Sequence, residues 1–343
     1  MNNRTEISSL GEFGLIRHLT ERIGIKHSST IKGIGDDAAV LSYEDKQILV
    51  TTDLLLEGIH FDLTYVPLKH LGYKSAVVNF SDIYAMNGQP KQITVSLGIS
   101  NRFSVEDLEE FYAGLKLACD VYNVDIVGGD TSASLTGLCI SITCIGEGEK
   151  DKVTLRNGAK ETDLICVSGD LGAAYMGLQL LEREKRIFKG EKDFTPDFSG
   201  KEYLLERQLK PEARKDIIQM LRNADITPTA MMDISDGLSS ELLHISQESH
   251  VGCRIYEDRI PIDYQTAAMA EQFNMNLVTA ALNGGEDYEL LFTVPLTDHD
   301  KVSEMKGIKV IGHITKQELG NYLVGRDGGE VELKAQGWNS LKQ

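Results

Sequence analysis

A chain of 343 residues with a net charge of −17 is long enough for two domains, and it is too acidic for a general nucleic-acid-binding protein, whose affinity depends on cationic surface. Its 41% hydrophobic and 25% charged residues allow large cores, yet no apolar run approaches the roughly 20 residues of a membrane helix. The acidity serves either solubility alone or the binding of cations, which would bridge the protein to a phosphate-bearing ligand.

The N-terminal sequence and the cysteines both predict a cytoplasmic protein. The first residues, MNNRTEISSLGEFG, lack the apolar segment of a signal peptide. The five cysteines are odd in number and form no CxxC pair, and Cys139, Cys144 and Cys166 sit in apolar, strand-like runs. We therefore expect reduced and buried thiols.

Helical and strand-like patterns mix along the whole chain, which predicts an α/β or α+β fold. Helices are expected over residues 11–24, 67–87, 104–122, 171–184, 217–224 and 238–250. Strands are expected over 47–52, 92–99, 124–127, 138–145, 163–167, 231–234 and 288–294. A polar, glycine-bearing stretch over 146–161 predicts two domains, 1–148 and 149–343. The charged stretch over 182–202 is typical of a solvated helix end and loop.

Acidic, hydroxyl and glycine residues recur beside the predicted strands in five motifs. Strand ends are rigid and the loops there often hold ligands, while glycine lets the backbone approach a ligand closely. The motifs are GIGDDAAVL with Gly35, Asp36 and Asp37; ILVTTDLLLEGIHF with Thr51, Thr52, Asp53 and His60; VDIVGGDTS with Gly128, Gly129 and Asp130; MMDISDGLSS with Asp233, Ser235 and Asp236; and NGGEDYELLFTV with Gly284, Gly285, Glu286 and Asp287.

Each of these motifs taken alone has an ordinary structural explanation. Aspartate and glycine are common turn formers, and SDG before an apolar helix is also a helix cap provided by Ser235 or Asp236. Five such motifs in one chain favour a ligand site, because gathered carboxylates repel each other unless a cation neutralises them. Oxygen ligands without histidine or cysteine partners suit Mg²⁺.

The helix motif VVNFSDIYAMNG raises the same choice for a single residue. Asp82 lies among Val78, Phe80 and Ile83 in an otherwise apolar helix. Either it marks a solvated turn, or its carboxylate faces inward toward a positive charge.

Several common nucleotide and metal signatures are missing from the sequence. It contains no GxxxxGK[ST], no complete GxGxxG, no HRD with DFG, no zinc-type spacing of His and Cys, and no GxSxG. A nucleotide would therefore be bound through metal ions and glycine backbone, without a P-loop lysine.

Six motifs in order, GIGDDAAVL, TTDLLLEGIHF, VVNFSDIYAMNGQP, IVGGDTS, MDISDGLSSEL and NGGEDYELLF, together resemble the thiamine-monophosphate kinase family. This family belongs to the superfamily of aminoimidazole ribonucleotide synthetase and selenophosphate synthetase. The resemblance runs from GEFGLI at 11–16 to GW at 337–338. The short GDD and GGD elements alone would indicate only the superfamily.

The resemblance implies ATP-dependent phosphorylation of thiamine monophosphate to thiamine diphosphate, the last step of thiamine diphosphate biosynthesis. It implies a two-domain fold like that of aminoimidazole ribonucleotide synthetase. The N-terminal domain would bind ATP with several Mg²⁺ ions and would form a homodimer around a β-barrel-like core. The C-terminal α/β domain would close the active-site cleft.

The resemblance also assigns site residues, with Asp130 and Asp236 as the catalytic pair. Mg²⁺ would be held by Asp37, Thr51, Thr52, Asp53, Asp82, Asp130, Asp233 and Asp236. ATP would contact Tyr112, Gly129, Asp130, Arg156 and Ser235. Thiamine monophosphate would contact His60, Glu286 and Trp338, with Asp36 and Asp287 supporting these positions from behind.

Four of these assignments compete with structural explanations. His60 is alternatively a structural histidine and Trp338 a packing anchor. Arg156 is alternatively an ordinary surface charge, and Tyr112 a core residue.

Two rival functions differ in sequence features. A selenophosphate synthetase would want a reactive cysteine in an N-terminal loop, and no cysteine precedes Cys119. A non-catalytic nucleotide sensor would have lost metal ligands, whereas all the matching carboxylates are present.

Overall fold

The computed structural model describes residues 18–32, 40–41, 47–149, 151–187 and 198–336. The chain separates into two compact units, divided between Asp151 and Lys152, with the short segment Tyr84–Asn87 belonging to the second. Helices and strands mix in both units, so the predicted mixed α/β class is confirmed. The functional division of the chain into 1–148 and 149–343 stays a prediction.

The first unit is built on a four-stranded sheet with the strand order β3-β6-β4-β5. A short antiparallel pair, β1 (Thr30–Lys32) and β2 (Val40–Leu41), precedes it. The sheet strands are β3 (Gln47–Leu56), β4 (Gln89–Ile99), β5 (Asp125–Ala133) and β6 (Leu138–Gly148). β4 and β5 run parallel, and the other pairs are antiparallel.

Two long helices of the first unit, α1 (Leu68–Ala85) and α2 (Val105–Tyr122), touch through glycines. A Cβ atom built on Gly72 would lie 1.9 Å from the carbonyl oxygen of Phe111, and one built on Gly114 would lie 1.7 Å from that of Lys69. Only glycine permits this close backbone approach. From Leu71 to Ala85 every residue of α1 is buried except Asp82, which is half-buried.

The second unit is built on a seven-stranded sheet with the strand order β13-β12-β9-β11-β7-β10-β8. Its strands are β7 (Leu164–Ser168), β8 (Ala230–Asp233), β9 (Val251–Tyr256), β10 (Leu290–Val294), β11 (Ile308–Lys316), β12 (Asn321–Val324) and β13 (Glu330–Glu332). Its helices are α3 (Ala173–Ile187), α4 (Glu202–Leu209), α5 (Lys215–Asn223), α6 (Leu238–Ser249), α7 (Tyr264–Gln272), α8 (Leu277–Asn283) and α9 (His299–Glu304). Every residue of β7, β8 and β10 is buried, as expected for a sheet core.

Most of the expected long elements are present. The helices predicted at 67–87, 104–122, 171–184, 217–224 and 238–250 correspond to α1, α2, α3, α5 and α6. The helix predicted over 11–24 lies largely outside the described residues, and its described part leaves the helical conformation after Thr20. Four helices, α4, α7, α8 and α9, and the strands β1, β2, β9 and β11 to β13 were not predicted, because most of these elements are too short to show a clear period.

The cysteines and the helix lengths complete this description. All five cysteines fall within the described residues, all are free, and only Cys139 is not fully buried. Among the described helices, none has both the length and the apolar character required to cross a membrane. The cytoplasmic location stays a prediction.

Candidate active site

Thirteen of the predicted site residues lie within the described residues, and they divide between the two units. The first unit carries Thr51, Thr52, Asp53, His60, Asp82, Tyr112, Gly129 and Asp130, and the second carries Arg156, Asp233, Ser235, Asp236 and Glu286. Asp37 and Trp338 lie outside the described residues, as does Asp36.

In the first unit, Asp53 and Asp82 form an acidic pair between β3 and α1. The Thr51 hydroxyl donates a hydrogen bond of 2.6 Å to Oδ2 of Asp82. Burial, and then the negative charge of Asp82, raise the pKa of Asp53 to about 7. Asp82 therefore faces the sheet and another carboxylate, and the alternative of a solvated turn is wrong.

Thr52 is not brought together with this pair, because successive side chains of a strand point to opposite faces. Along β3 the side chains of Leu49 and Leu55 are buried, whereas those of Val50 and Leu54 are exposed. Thr51 and Asp53 share the buried face, and Thr52 lies on the other. Its hydroxyl donates to the carbonyl oxygen of Ile142 at 3.1 Å.

Asp130 lies on the opposite edge strand from Asp53. The register across the sheet runs from Asp53 to Ile142, Val95 and Gly129, so three strand steps, about 14 Å in a flat sheet, separate β3 from β5. Oδ1 of Asp130 accepts the N–H of Thr131 at 2.9 Å. A Cβ atom on Gly129 would lie 1.9 Å from the carbonyl oxygen of Val95, so strand pairing alone requires glycine there.

The expectation that these motifs follow the ends of strands is wrong for two of them. β3 continues to Leu56 and β5 continues to Ala133, beyond the predicted ends at 52 and 127, so Thr51–Asp53 and Gly129–Asp130 lie inside strands. The polar residues interrupt the apolar run of β3 and end that of β5, but the ladder of backbone hydrogen bonds does not need apolar side chains to continue.

The environments of His60 and Tyr112 support their structural explanations. Nδ1 of His60, just after β3, accepts the N–H of Leu56 at 3.0 Å and so closes the turn. Tyr112 lies half-buried on α2, with its ring nearly perpendicular to that of Phe111 at a centroid distance of 5.8 Å. Burial raises the pKa of Tyr112 to about 12.

In the second unit, the SDG and NGGED loops meet at one edge of the sheet. Asp233, the last residue of β8, pairs with Leu290, the first residue of the antiparallel β10. The loop that follows β8 must therefore lie beside the loop that precedes β10. Topology thus brings Asp236 and Glu286 together.

These two loops contact each other through their backbones. The N–H of Glu286 donates to the carbonyl oxygen of Ser235 at 2.7 Å, and that of Tyr288 donates to Ile234 at 2.9 Å. Gly285, Glu286 and Tyr288 have positive φ values of 70°, 58° and 52°. Left-handed conformations at non-glycine residues cost on the order of 1 kcal/mol each and cluster at functional sites. A Cβ atom on Gly285 would lie 2.6 Å from the Ser235 carbonyl oxygen.

Glu241, on the first turns of α6, is a site residue that the motif analysis missed. Oε1 of its buried side chain accepts the N–H of Asp236 at 2.9 Å and the hydroxyl of Ser235 at 3.5 Å. Gly237 precedes the helix and has no side chain that could accept a backbone N–H there. The Glu241 carboxylate, inside the helix, accepts the N–H of Asp236 instead. The signal was the glutamate of SDGLSSE, an acidic residue in the first turns of a helix, where its negative charge suits the helix N-terminus.

The acidic groups of these loops raise each other's pKa. Burial raises the pKa of Glu241 to about 8, and the charges of Asp236 and Asp233 add to the shift. Burial raises the pKa of Asp236 as well; nearby His244 opposes this shift, and Glu286 reinforces it. Oε2 of Glu241 is buried with no hydrogen-bond partner among the described residues. An environment of this kind favours a bound cation.

Arg156 is not part of this cluster. Its side chain is exposed, and its carbonyl oxygen accepts a hydrogen bond from the hydroxyl of Ser249 at 2.9 Å. Asp233 is buried, with only 4% of its surface exposed. The second unit thus brings together Asp233, Ser235, Asp236 and Glu286.

The donor chemistry of both units fits Mg²⁺. No group of three or more His, Cys, Asp or Glu side chains within the described ranges is arranged to hold one ion. Each unit instead offers a pair of carboxylates with a nearby hydroxyl group, Thr51 or Ser235. Mg²⁺ commonly binds one or two carboxylates and completes its shell with water and substrate phosphates.

Comparisons with known proteins agree with the motifs. Residues 35–147 match the family model of the AIR synthase related protein, N-terminal domain. The chain is 37% identical to a thiamine-monophosphate kinase of Aquifex aeolicus (strain VF5), covering 89% of this chain and 96% of that protein. It is 33% identical to a thiamine-monophosphate kinase of Bacillus subtilis (strain 168), covering 97% and 100%.

A solved structure of AaThiL complexed with AMPPCP and TMP has the same fold. It matches with a TM-score of 0.74 at 35% identity, covering 98% of this chain and 99% of that chain. The fold of the aminoimidazole ribonucleotide synthetase type that the motifs predicted is therefore confirmed.

Asp53→Asn is expected to stabilise the metal-free protein at pH 8 and to change its stability little at pH 4. The folded-state pKa of about 7 exceeds the unfolded value, so ionisation opposes folding as the pH rises above about 4, and its full cost is reached above pH 7. With solvent screening, the gain at pH 8 is about 2 kcal/mol. Thermal unfolding at both pH values in chelator measures it.

Asp258→Asn, at an exposed position, is the control for this substitution and should show no such pH dependence. Equal gains at pH 4 and pH 8, or a loss at pH 8, would contradict the burial of the Asp53 charge.

Proposed function

We propose that this chain, which belongs to the thiamine-monophosphate kinase family, transfers the γ-phosphoryl group of ATP to thiamine monophosphate. The products are thiamine diphosphate and ADP, and the transfer is direct and in line, without a phosphoenzyme. The observation that carries the proposal is the meeting of the SDG and NGGED loops, which joins Asp236, a proposed metal ligand, to Glu286, a proposed acceptor contact.

The acceptor chemistry asks for alignment and charge neutralisation and not for a strong base. The attacking atom is a phosphate oxygen, which is already anionic near neutral pH. Phosphoryl transfer to such an oxygen depends mainly on bringing two anions together in the correct orientation. His60 is the one histidine within the motifs, and its Nδ1 already accepts the N–H of Leu56.

Bound Mg²⁺ supplies the positive charge that lets two anions approach and that stabilises the transferring oxygens. The carboxylates of this chain would hold the ions that contact the phosphates, and the strained loops fix the positions of those carboxylates. The residues proposed to hold Mg²⁺ are Asp37, Thr51, Thr52, Asp53, Asp82, Asp130, Asp233 and Asp236. Among these, Asp53 with Asp82, and Asp233 with Asp236, have the acidic surroundings that support this role.

Thiamine monophosphate, and not free thiamine, is the expected acceptor. A hydroxyl acceptor is uncharged and needs a base to remove its proton, whereas a phosphate acceptor does not. Product chromatography after incubation with ATP, Mg²⁺ and equal concentrations of either acceptor should show faster turnover of thiamine monophosphate. Faster phosphorylation of thiamine would contradict the assignment, and turnover of neither would favour another enzyme of the superfamily.

Asp236→Asn is expected to lower kcat by roughly 10²-fold or more, because one group that stabilises the developing charge is lost. It should also weaken the Mg²⁺-dependent binding of a non-hydrolysable ATP analogue, measured by calorimetry, while circular dichroism stays unchanged. Asp258→Asn is again the exposed control. Near-normal turnover and Mg²⁺-dependent binding in Asp236→Asn would show that the metal lies elsewhere.

We further propose a homodimer formed through the outward face of β3. Ile48, Val50 and Leu54 are 42%, 65% and 53% exposed there, on the edge strand of the sheet. Apolar side chains along a sheet edge usually meet a partner. Light scattering should give twice the chain mass for the wild type and a monomer for Val50→Glu. Val331→Glu, at an equally exposed position of the second unit, should stay dimeric; a monomeric wild type would contradict the proposal.

A further inference from the structure

Helix α4 (Glu202–Leu209) contacts the acidic loop residues Glu286, Asp287 and Glu289 through two neighbouring side chains. Nη1 of Arg207 donates to Oε1 of Glu289 at 2.7 Å, and its Nη2 lies 3.6 Å from Oδ1 of Asp287. Nε2 of Gln208 donates to Oε2 of Glu286 at 2.8 Å. One short helix thus holds three of the four residues from 286 to 289.

The Arg207 contacts anchor the base of the loop. Glu289 is fully buried and also accepts hydrogen bonds from Arg214 and from the hydroxyl of Ser168. Asp287 is 2% exposed and accepts the N–H of Gly172 at 2.8 Å. Charges buried to this extent are stable only when they are paired and hydrogen-bonded. These contacts therefore fix the backbone on the C-terminal side of Glu286.

The contact with Glu286 differs chemically from the other two. Gln208 is 6% exposed, so its amide group meets Glu286 away from water. It supplies a hydrogen-bond donor without a positive charge, whereas Arg207 forms ion pairs with its two partners. Glu286 also lies close enough to Asp236 for its charge to raise the pKa of that residue. The end of the loop that carries Glu286 is thus electronegative.

We propose that Gln208 is the positioning residue for Glu286 and thereby determines specificity for a cationic acceptor ring; this rests on the function proposed above. The amide orients the Glu286 carboxylate and contributes no positive charge of its own. The carboxylate keeps its attraction for the positively charged thiazolium ring of thiamine monophosphate. A lysine at the same position would form an ion pair with Glu286 and compete with the ring.

The test compares Gln208→Met, which keeps the side-chain length and removes the donor, with Gln208→Lys, which adds a charge. Gln208→Met should raise the KM for thiamine monophosphate about tenfold, in line with losing one hydrogen bond to a charged group. The KM for ATP and kcat should stay within about twofold of the wild type. Gln247→Met, at an exposed position of α6, is the matched control and should change none of them.

A probe with a neutral ring, called the neutral probe below, separates the charge effect from general damage to the pocket. It is the phosphate ester of 4-methyl-5-(2-hydroxyethyl)thiazole, which has an anionic phosphate like thiamine monophosphate but an uncharged ring, and it serves as a competitive inhibitor. Gln208→Lys should raise the KM for thiamine monophosphate more than Gln208→Met does. The inhibition constant of the neutral probe should be the same in the two variants within about twofold. Equal weakening of the cationic and the neutral ligand would overturn the proposal.

A second variant keeps the test decisive if Gln208→Met does not fold. Gln208→Asn keeps the amide and shortens the side chain, so it should also raise the KM for thiamine monophosphate. In the Glu286→Gln background, where the carboxylate that Gln208 orients is already gone, the same substitution should change the KM by no more than about twofold. An equal rise of the KM in both backgrounds would overturn the proposal.

The result is also distinguishable from a failure of the proposed function. If the wild type does not phosphorylate thiamine monophosphate, the function is wrong and this proposal falls with it. If the wild type is active and Gln208→Met behaves like Gln247→Met, only the role of Gln208 is wrong.

Discussion

Repulsion between carboxylates that are partly or fully out of water is the constraint on which both units of this protein depend. Burial and the charge of Asp82 disfavour ionisation of Asp53. Burial and the charges of Asp236 and Asp233 disfavour ionisation of Glu241. An isolated loop would relieve such repulsion by moving apart. Here it persists because the backbone is fixed, by the close contact of α1 and α2 at Gly72 and Gly114 in one unit and by the backbone hydrogen bonds between two loops in the other.

The chain treats its buried acids in two different ways. Glu289 is paired with both Arg207 and Arg214, so this acid is compensated within the protein and stabilises the loop that it belongs to. Asp53 and Glu241 receive no comparable compensation: burial and neighbouring charges raise the pKa of both. The first arrangement is typical of a scaffold, and the second of a site that gives up stability to bind a cation.

Much of this could be predicted from sequence, because the motifs are local. The SDG and NGGED residues and the long helices follow from apolar patterning and from residues close together in the chain, whereas the pattern around Asp82 left its direction open. The extent of β3 and β5 could not be predicted, since a backbone ladder continues through Thr51–Asp53 and Gly129–Asp130 although polar residues and glycine interrupt the apolar pattern there. Alternation along β3 then separates Thr52 from its two neighbours, which composition alone does not reveal.

Gln208 and Arg207 illustrate the other limit of sequence reasoning. They lie 78 and 82 positions before Glu286 and Glu289, on a helix of only 8 residues. Only the pairing of β8 with β10 sets the place of the acidic loop, and only the folded chain lays α4 across it. Adjacent residues of that helix then do different things: an arginine neutralises acids that the fold needs buried, while a glutamine orients an acid that must keep its charge. The choice between an ionic and an amide donor, made one residue apart, separates the part of the loop that holds the structure from the part that meets the ligand.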